Sequence, residues 1–267
     1  AIFYYAPTIF EQAGGSTDSS FLQAIVVGLT NLVFTLVAIW LIDRLGRKPL
    51  LLIGTSAMTV ALVLAVTKHL PQHMARARAG LGGEKIGIAL ELDGRTLGLV
   101  GCGRIASRVA AAAIGLGMRV IATRGSRREG PDYVDYVGLS DELFELAAQA
   151  DVVINALPLT PETEGLFDKA FFDAAKPGVF FVNVARGSSV VTDDLVAALG
   201  DGRVAGAGLD VFWEEPPDPD DPIFNYNVLA TPHIGGATDI SIRGIVKAVA
   251  NNILRLENNE KPLYVKN

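Results

Sequence analysis

The chain has 267 residues, of which 50% are hydrophobic and 19% charged, a smaller charged share than the roughly one quarter of an average soluble domain. That composition excludes a disordered chain. A formal net charge of −6 and one cysteine, Cys102, argue against a nucleic-acid partner, an internal disulfide and a cysteine metal cluster, and no metal site is expected. The first candidate element is Phe21–Ile42, 22 residues without a charge. As a helix it would reach about 33 Å, enough to cross a hydrocarbon core. The polar turn GGSTDSS precedes it, and the basic cluster Asp43-Arg44-Leu45-Gly46-Arg47-Lys48 follows it. Such a cluster stays on the cytoplasmic side. Basic residues after the apolar run, and not before it, argue against a secretory signal.

The next run, Pro49 to Val66, is uncharged but has basic residues on both sides: Arg44, Arg47 and Lys48 before it, Lys68, Arg76 and Arg78 after it. Both ends then prefer the same side, so one span at most is expected. Its second half, from about Thr59, is expected to open a soluble helix running through Lys68, His69 and Arg76, with Pro71 breaking or restarting it. This places a junction near residues 55–61, between a membrane-like segment (1–58) and a globular part (59–267). FYYAPTIF at 3–10 and DRLGRKPLLLIG at 43–54 resemble the sugar-porter branch of the major facilitator superfamily. A transport path needs helices from both halves of such a protein, so the segment is not expected to transport alone. Contact with a membrane through 21–42 is the expectation that follows.

From Thr96 onward, short apolar runs alternate with helical stretches, the pattern of βαβ units. Thr96–Val100 reads as a strand, followed directly by Gly101-Cys102-Gly103-Arg104-Ile105-Ala106, a helix to about Leu116, and a second strand, Met118–Thr123. This is G-x-G-x-x-A in the context that a dinucleotide site requires. Gly101 permits the tight turn, Gly103 lets backbone approach a pyrophosphate at the positive helix end, and Ala106 is small enough for helix and strand to pack. Further strands are expected at Asp151–Ala156, Val179–Val184, Val204–Val211 and Val228–Ala230. Helix starts are expected at Ser140 and Thr192, with a long helix from Thr238 to near Glu257. The sum is an α/β fold, a doubly wound parallel sheet of the Rossmann type behind an N-terminal transmembrane-like segment. Its ligand is expected at the carboxyl ends of the strands.

Chemistry-bearing residues fall at those ends. Arg186 follows the strand FFVNV, Asp210 ends AGAGLD, Glu215 follows in FWEEPP, and His233 lies in TPHIGGAT. Reducing a carbonyl by hydride needs a proton donor with a pKa near 7, which histidine supplies. A neighbouring carboxylate orients it and stabilises its charged form, and an arginine can hold a substrate carboxylate by two parallel hydrogen bonds.

LDGRTLGLVGCGRIA, ADVVINALPLTPETEGLF, VNVARGSSV, GAGLDVFWEEPP and TPHIGGAT resemble the D-isomer-specific 2-hydroxyacid dehydrogenases over about residues 59–267. The resemblance implies a small 2-oxo or 2-hydroxy acid as substrate, NAD or NADP as cofactor, and a homodimer through the nucleotide domain. It gives Arg186 substrate binding, His233 the acid/base role with Glu215 as its partner, and Asp210 a place beside them. The cofactor set it implies is Gly101, Gly103, Arg104, Ile105, Ala106, Pro158, Thr163, Asp210 and His233, joined by Arg124, Ser126 and Arg127. Three departures stand out. Ala106 replaces the more usual third glycine. Arg124 stands at the end of the second strand where the family often has an acid, followed by Ser126, Arg127 and Arg128, which favours NADP over NAD. Membrane-like sequence stands where the family's substrate half-domain begins. A chimera of two parent sequences is therefore expected, a cytoplasmic nucleotide-binding part with weak or absent turnover. A transporter fragment and a cofactor-binding module without turnover are the alternatives.

Overall fold

The computed structural model describes residues 47–81 and 88–263. The expected span Phe21–Ile42 lies outside these residues, as do residues 264–267 of the final KPLYVKN. Two compact units are present: the described residues of Leu51–Thr238 form one, and residues 47–50 and 239–263 belong to the other.

Helices α1 (Arg47–Thr67) and α2 (Leu70–Arg78) open the described chain. The sheet unit continues with β1 (Thr96–Val100), α3 (Arg104–Gly115), β2 (Arg119–Arg124), β3 (Tyr136–Leu139), α4 (Leu143–Gln149) and β4 (Val152–Asn155). Then come α5 (Lys169–Ala174), β5 (Val179–Asn183), α6 (Thr192–Gly200), β6 (Val204–Leu209) and β7 (Val228–Ala230). The strands lie in the order β3-β2-β1-β4-β5-β6-β7, all parallel. The order reverses between β1 and β4, which opens a crevice at their carboxyl ends.

Period-two alternation sorts the strand residues between two cores, one on each face of the sheet. Val152, Ile154, Phe180 and Val182 join α1 and α3 side chains. Val153 and Phe181 join α4, α5 and α6 on the other face, where Phe167, Phe171, Phe172 and Phe181 pack edge to face or tilted. Burial on both faces explains why the strands read as unbroken apolar runs.

Helix α1 belongs to the first core. Leu62 and Val66 are fully buried. Leu62 packs on Gly208 of β6, where a Cβ would stand 2.9 Å from its own Cβ. The buried hydroxyls of Thr59 and Thr67 return to helix carbonyls, donating to Thr55 O and Val63 O at 2.7 Å each. The helix ends earlier than expected. Thr67 closes it, His69 is left-handed (φ 52°), and α2 restarts with Pro71 in its first turn. Proline has no N–H for the carbonyl four residues back, and the Thr67 carbonyl accepts Leu90 N–H instead, at 2.9 Å. The two helices bend by 68° at this break, and among the described residues no single helix is long and apolar enough to cross a membrane.

Two elements escaped the sequence reading. Strand β3 has four residues, only two of them buried, too few to show an alternation. Helix α5 has six; Asp168 caps it, accepting Phe171 N–H at 2.9 Å, and its buried face is the Phe171-Phe172 pair. The other strands start or end within one or two residues of the expected bounds.

In the second unit, α7 (Asp239–Glu257) fulfils the expected long helix. The following chain folds back on it through reciprocal Asn252–Leu263 hydrogen bonds of 3.0 and 2.8 Å and an Arg255–Glu260 ion pair of 3.0 Å.

Because Leu62 meets the sheet without a gap, Leu62→Ala should destabilise the sheet unit by about 2–5 kcal/mol, read from the urea midpoint of the full chain. A loss below about 1 kcal/mol would show that α1 does not share this core.

Candidate active site

The polar side chains that end the central strands build the site. Asn155 ends β4 and Asn183 ends β5, and both are buried. Asn155 Nδ2 donates to Asn183 Oδ1 (3.1 Å) and Ser189 Oγ (2.7 Å), while its Oδ1 accepts Leu157 N–H (3.1 Å). Asn183 Nδ2 and Ser189 Oγ both donate to the carbonyl of Arg186, at 2.9 and 2.6 Å. The backbone of Arg186 is thus fixed from below while its side chain stays exposed. The sequence reading missed Asn155, Asn183 and Ser189. The signal was there: an asparagine closing each of two apolar strands, VVIN and FFVN.

Gly187 brings Arg186 toward its partners. A Cβ there would fall 1.9 Å from the Phe212 carbonyl oxygen, so the loop lies directly on the backbone of the Phe212–Glu215 segment. Glu215 Oε1 accepts Phe212 N–H at 3.2 Å, and Oε2 lies 3.0 Å from His233 Nδ1. His233 and Glu215 are therefore paired, and both side chains are partly exposed. The hydrogen bond to His233 holds the Glu215 carboxyl below the usual carboxylate range; desolvation opposes it, while the Phe212 amide and the Arg186 charge reinforce it.

Asp210 stands apart from that pair. Its carboxylate is buried, and both oxygens are taken by the loop that carries the histidine. Oδ1 accepts Thr231 Oγ–H (2.6 Å) and Ile234 N–H (2.9 Å), and Oδ2 accepts Gly235 N–H (2.8 Å). The three donors satisfy an anion that would be costly to bury alone. Asp210 is a positioning residue, and its bonds hold His233 in a left-handed backbone conformation (φ 54°).

On the nucleotide side, Gly101 has φ +94°, and a Cβ there would come within 3.1 Å of Ala156 backbone. Gly103 is the N-cap of α3 and faces open space, with no side chain capping the helix. Uncapped amides at a positive helix end suit a pyrophosphate. Arg104 is exposed, Ile105 half-buried and Ala106 fully buried. Beside this turn lies a cavity of ≈ 420 Å³ at the carboxyl ends of β1, β2 and β4; Arg124, Leu157, Pro158 and Thr163 are among its lining. Thr163 Oγ donates to the Pro158 carbonyl at 2.8 Å and folds that wall back on itself. These residues fit a dinucleotide. Ser126 and Arg127 are exposed and do not line the cavity. Arg124 also donates to the Glu129 carbonyl, drawing the loop after β2 together. Cys102 is buried within the turn, and its burial pushes the thiol pKa up, with Arg124 pulling the other way.

Residues 60–235 match the D-isomer specific 2-hydroxyacid dehydrogenase, NAD binding domain family. The chain belongs to this family. Within the dehydrogenases, it is 37% identical over 218 residues to a glyoxylate reductase of Thermococcus onnurineus, covering 78% of this chain and 64% of the relative. The chain thus spans just under two thirds of that relative's length. Among solved structures, it resembles a probable 2-hydroxyacid dehydrogenase from Rhizobium etli in complex with NADP, HEPES and L(+)-tartaric acid (28% identity, TM-score 0.68, 81% of this chain and 68% of that one). It also resembles a D-lactate dehydrogenase with NAD+ from Lactobacillus jensenii (26% identity, TM-score 0.69, 81% and 69%). Residues 1–82 match the sugar (and other) transporter family, so both matches claim residues 60–82, a stretch that holds the end of α1 and all of α2.

The depressed Glu215 pKa has a definite sign. Such a carboxylate stabilises the fold above its unfolded pKa, and that contribution is lost as pH falls through the folded value. Carbon-detected NMR titration should place the Glu215 midpoint below that of an ordinary glutamate. His233→Gln, which removes the charged partner, should move it back up; an unmoved midpoint would mean that the pair is not formed in solution.

Proposed function

We propose that the chain is an oxidoreductase that transfers hydride between NAD(P)H and a small 2-oxo or 2-hydroxy acid. The observation that carries this reading is the His233–Glu215 pair at 3.0 Å, placed on the same strand ends as Arg186 and the glycine turn. When bound, the nicotinamide supplies or accepts the hydride at the carbonyl carbon. Glu215 takes Nδ1 of His233, which leaves Nε2 to deliver a proton to the substrate carbonyl oxygen and to recover it in the reverse direction. The carboxylate of Glu215 stabilises the imidazolium and fixes the ring's orientation. Arg186, anchored through its backbone, holds the substrate carboxylate.

Membrane attachment through residues 1–58 is part of this reading. Its support is the uncharged run Phe21–Ile42, the basic cluster behind it, and the transporter match over 1–82. A cytoplasmic position for the dehydrogenase part rests on the same basic cluster.

The reading predicts nucleotide binding with at most weak glyoxylate-dependent NADPH consumption by the purified chain, and that rate should fall about 10²–10⁴-fold in His233→Ala. A rate indifferent to that substitution, measured with nucleotide binding intact, would overturn the catalytic assignment.

Cofactor choice follows from the end of β2. An acid there would accept hydrogen bonds from the ribose hydroxyls and repel a 2′-phosphate; this chain has Arg124, a wall residue of the cavity. NADPH should bind at least about tenfold more tightly than NADH, which is about 1.4 kcal/mol, and added salt should narrow the gap. Arg124→Asp should reverse the preference. Equal dissociation constants in low salt would show that the loop does not meet the ribose.

A further inference from the structure

Three arginines follow one another on β2 and its loop, and they do not share one environment. Arg124 lines the nucleotide cavity, and Arg127 is exposed, with no hydrogen bond or ion pair among the described residues. Arg128 is held elsewhere. Its Nη1 lies 2.7 Å from Glu142 Oε2 and donates to Tyr136 Oη at 2.8 Å. Tyr136 in turn donates to Glu142 Oε1 at 2.5 Å, and Glu142 Oε2 accepts Leu139 N–H at 2.7 Å. Gly138 leaves room for this arrangement, since a Cβ there would stand 2.9 Å from Glu142 Oε2.

The placement matters for the nucleotide. Glu142 ends the short turn Ser140–Glu142 after β3, and its neighbours Ser140 and Leu143 line the cavity. Its carboxylate, however, is turned toward Tyr136, which begins β3. A guanidinium held there is neutralised by its own carboxylate, with Nη1 2.7 Å from the same Oε2 that accepts the Leu139 amide.

We propose that Glu142 is a specificity-determining residue: it neutralises Arg128, so that Arg124, the arginine that lines the cavity, supplies the charge that meets a ribose 2′-phosphate. This rests on the reading of Arg124 given above and deepens it. The raised Arg128 pKa and lowered Glu142 pKa, each with the shared Tyr136 hydrogen bond as its largest cause, agree with a closed network. Glu142 sets how much positive charge the site offers without touching the nucleotide.

The test is a set of dissociation constants for NADPH and NADH on the full chain, from nucleotide fluorescence in low salt. Five proteins are compared: the parent chain, Glu142→Gln, Arg128→Ser, the double variant, and Arg124→Ser. Glutamine keeps an acceptor for the Leu139 amide but releases the arginine's charge. Glu142→Gln should tighten NADPH about three- to tenfold, as one freed charge near a phosphate would, and leave NADH within about twofold. Arg128→Ser should leave NADPH within about twofold of the parent, and the double variant should lose the gain.

An unchanged or weakened NADPH constant in Glu142→Gln overturns the proposal. So does an Arg128→Ser variant that itself loses tenfold. Thermal melts accompany each measurement: a Glu142→Gln chain that melts early and loses both nucleotides alike makes Glu142 a structural anchor, which also overturns it. Arg124→Ser separates the two claims. If it leaves the NADPH-to-NADH ratio unmoved, the reading of Arg124 fails. If it collapses the ratio while Glu142→Gln changes nothing, the present proposal fails alone.

Discussion

A parallel sheet buried on both faces satisfies its backbone everywhere except along its two edges and where the strands stop, and this fold closes those stops with buried polar side chains. Asp210 is the strictest case. A carboxylate only 2% exposed is tolerable because three donors from one loop converge on it. That requirement runs in both directions. The loop cannot relax without stranding the charge, and Gly235 must lack a side chain, because a Cβ there would stand 2.6 Å from Asp210 Oδ2. The left-handed backbone of His233 is a consequence of this closure. His233 is thus positioned by an anion that it does not touch, and oriented by another, Glu215, that it does.

Asn155 and Asn183 do the same for the neighbouring strands with neutral groups. Through one buried cluster they hold the Arg186 carbonyl on one side and the Leu157 amide, at the wall of the nucleotide cavity, on the other. Neutral donors and acceptors suit this place. A charge shared between the two loops would need a counter-charge, which neutral amides do not. The close contact of Gly187 with the Phe212 backbone then sets the separation between Arg186 and Glu215 by main-chain packing, which side-chain rotation cannot alter.

Much of this was legible in the sequence where function rests on residue type and strand position. The glycine turn was readable because its demands are backbone demands: φ +94° at Gly101, open space at Gly103, no bulk at Ala106. Arg186, Glu215 and His233 were readable because few residue types do their chemistry. What stayed hidden were partners. Asp210 could be placed near the site, but its loop donors lie 21 to 25 residues on. Arg124, Arg127 and Arg128 look alike in a row, and only Glu142, across a strand, distinguishes the last of them. The end of α1 at Thr67 depended on a carbonyl that Pro71 could not serve and Leu90 could.

Strand β3 is the outermost strand of the sheet, with one side of its backbone unpaired by any neighbouring strand. Such an edge is a template on which another chain can add a strand. Here it is only four residues long, and the Tyr136–Glu142–Arg128 cluster is built on it, with the carboxylate already occupying the amide of Leu139. Charges of both signs at an edge, and a donor already taken, are how sheets avoid sticking to one another. The Tyr136–Glu142–Arg128 cluster blunts the edge in this way, and a substitution at this corner puts colloidal behaviour at stake.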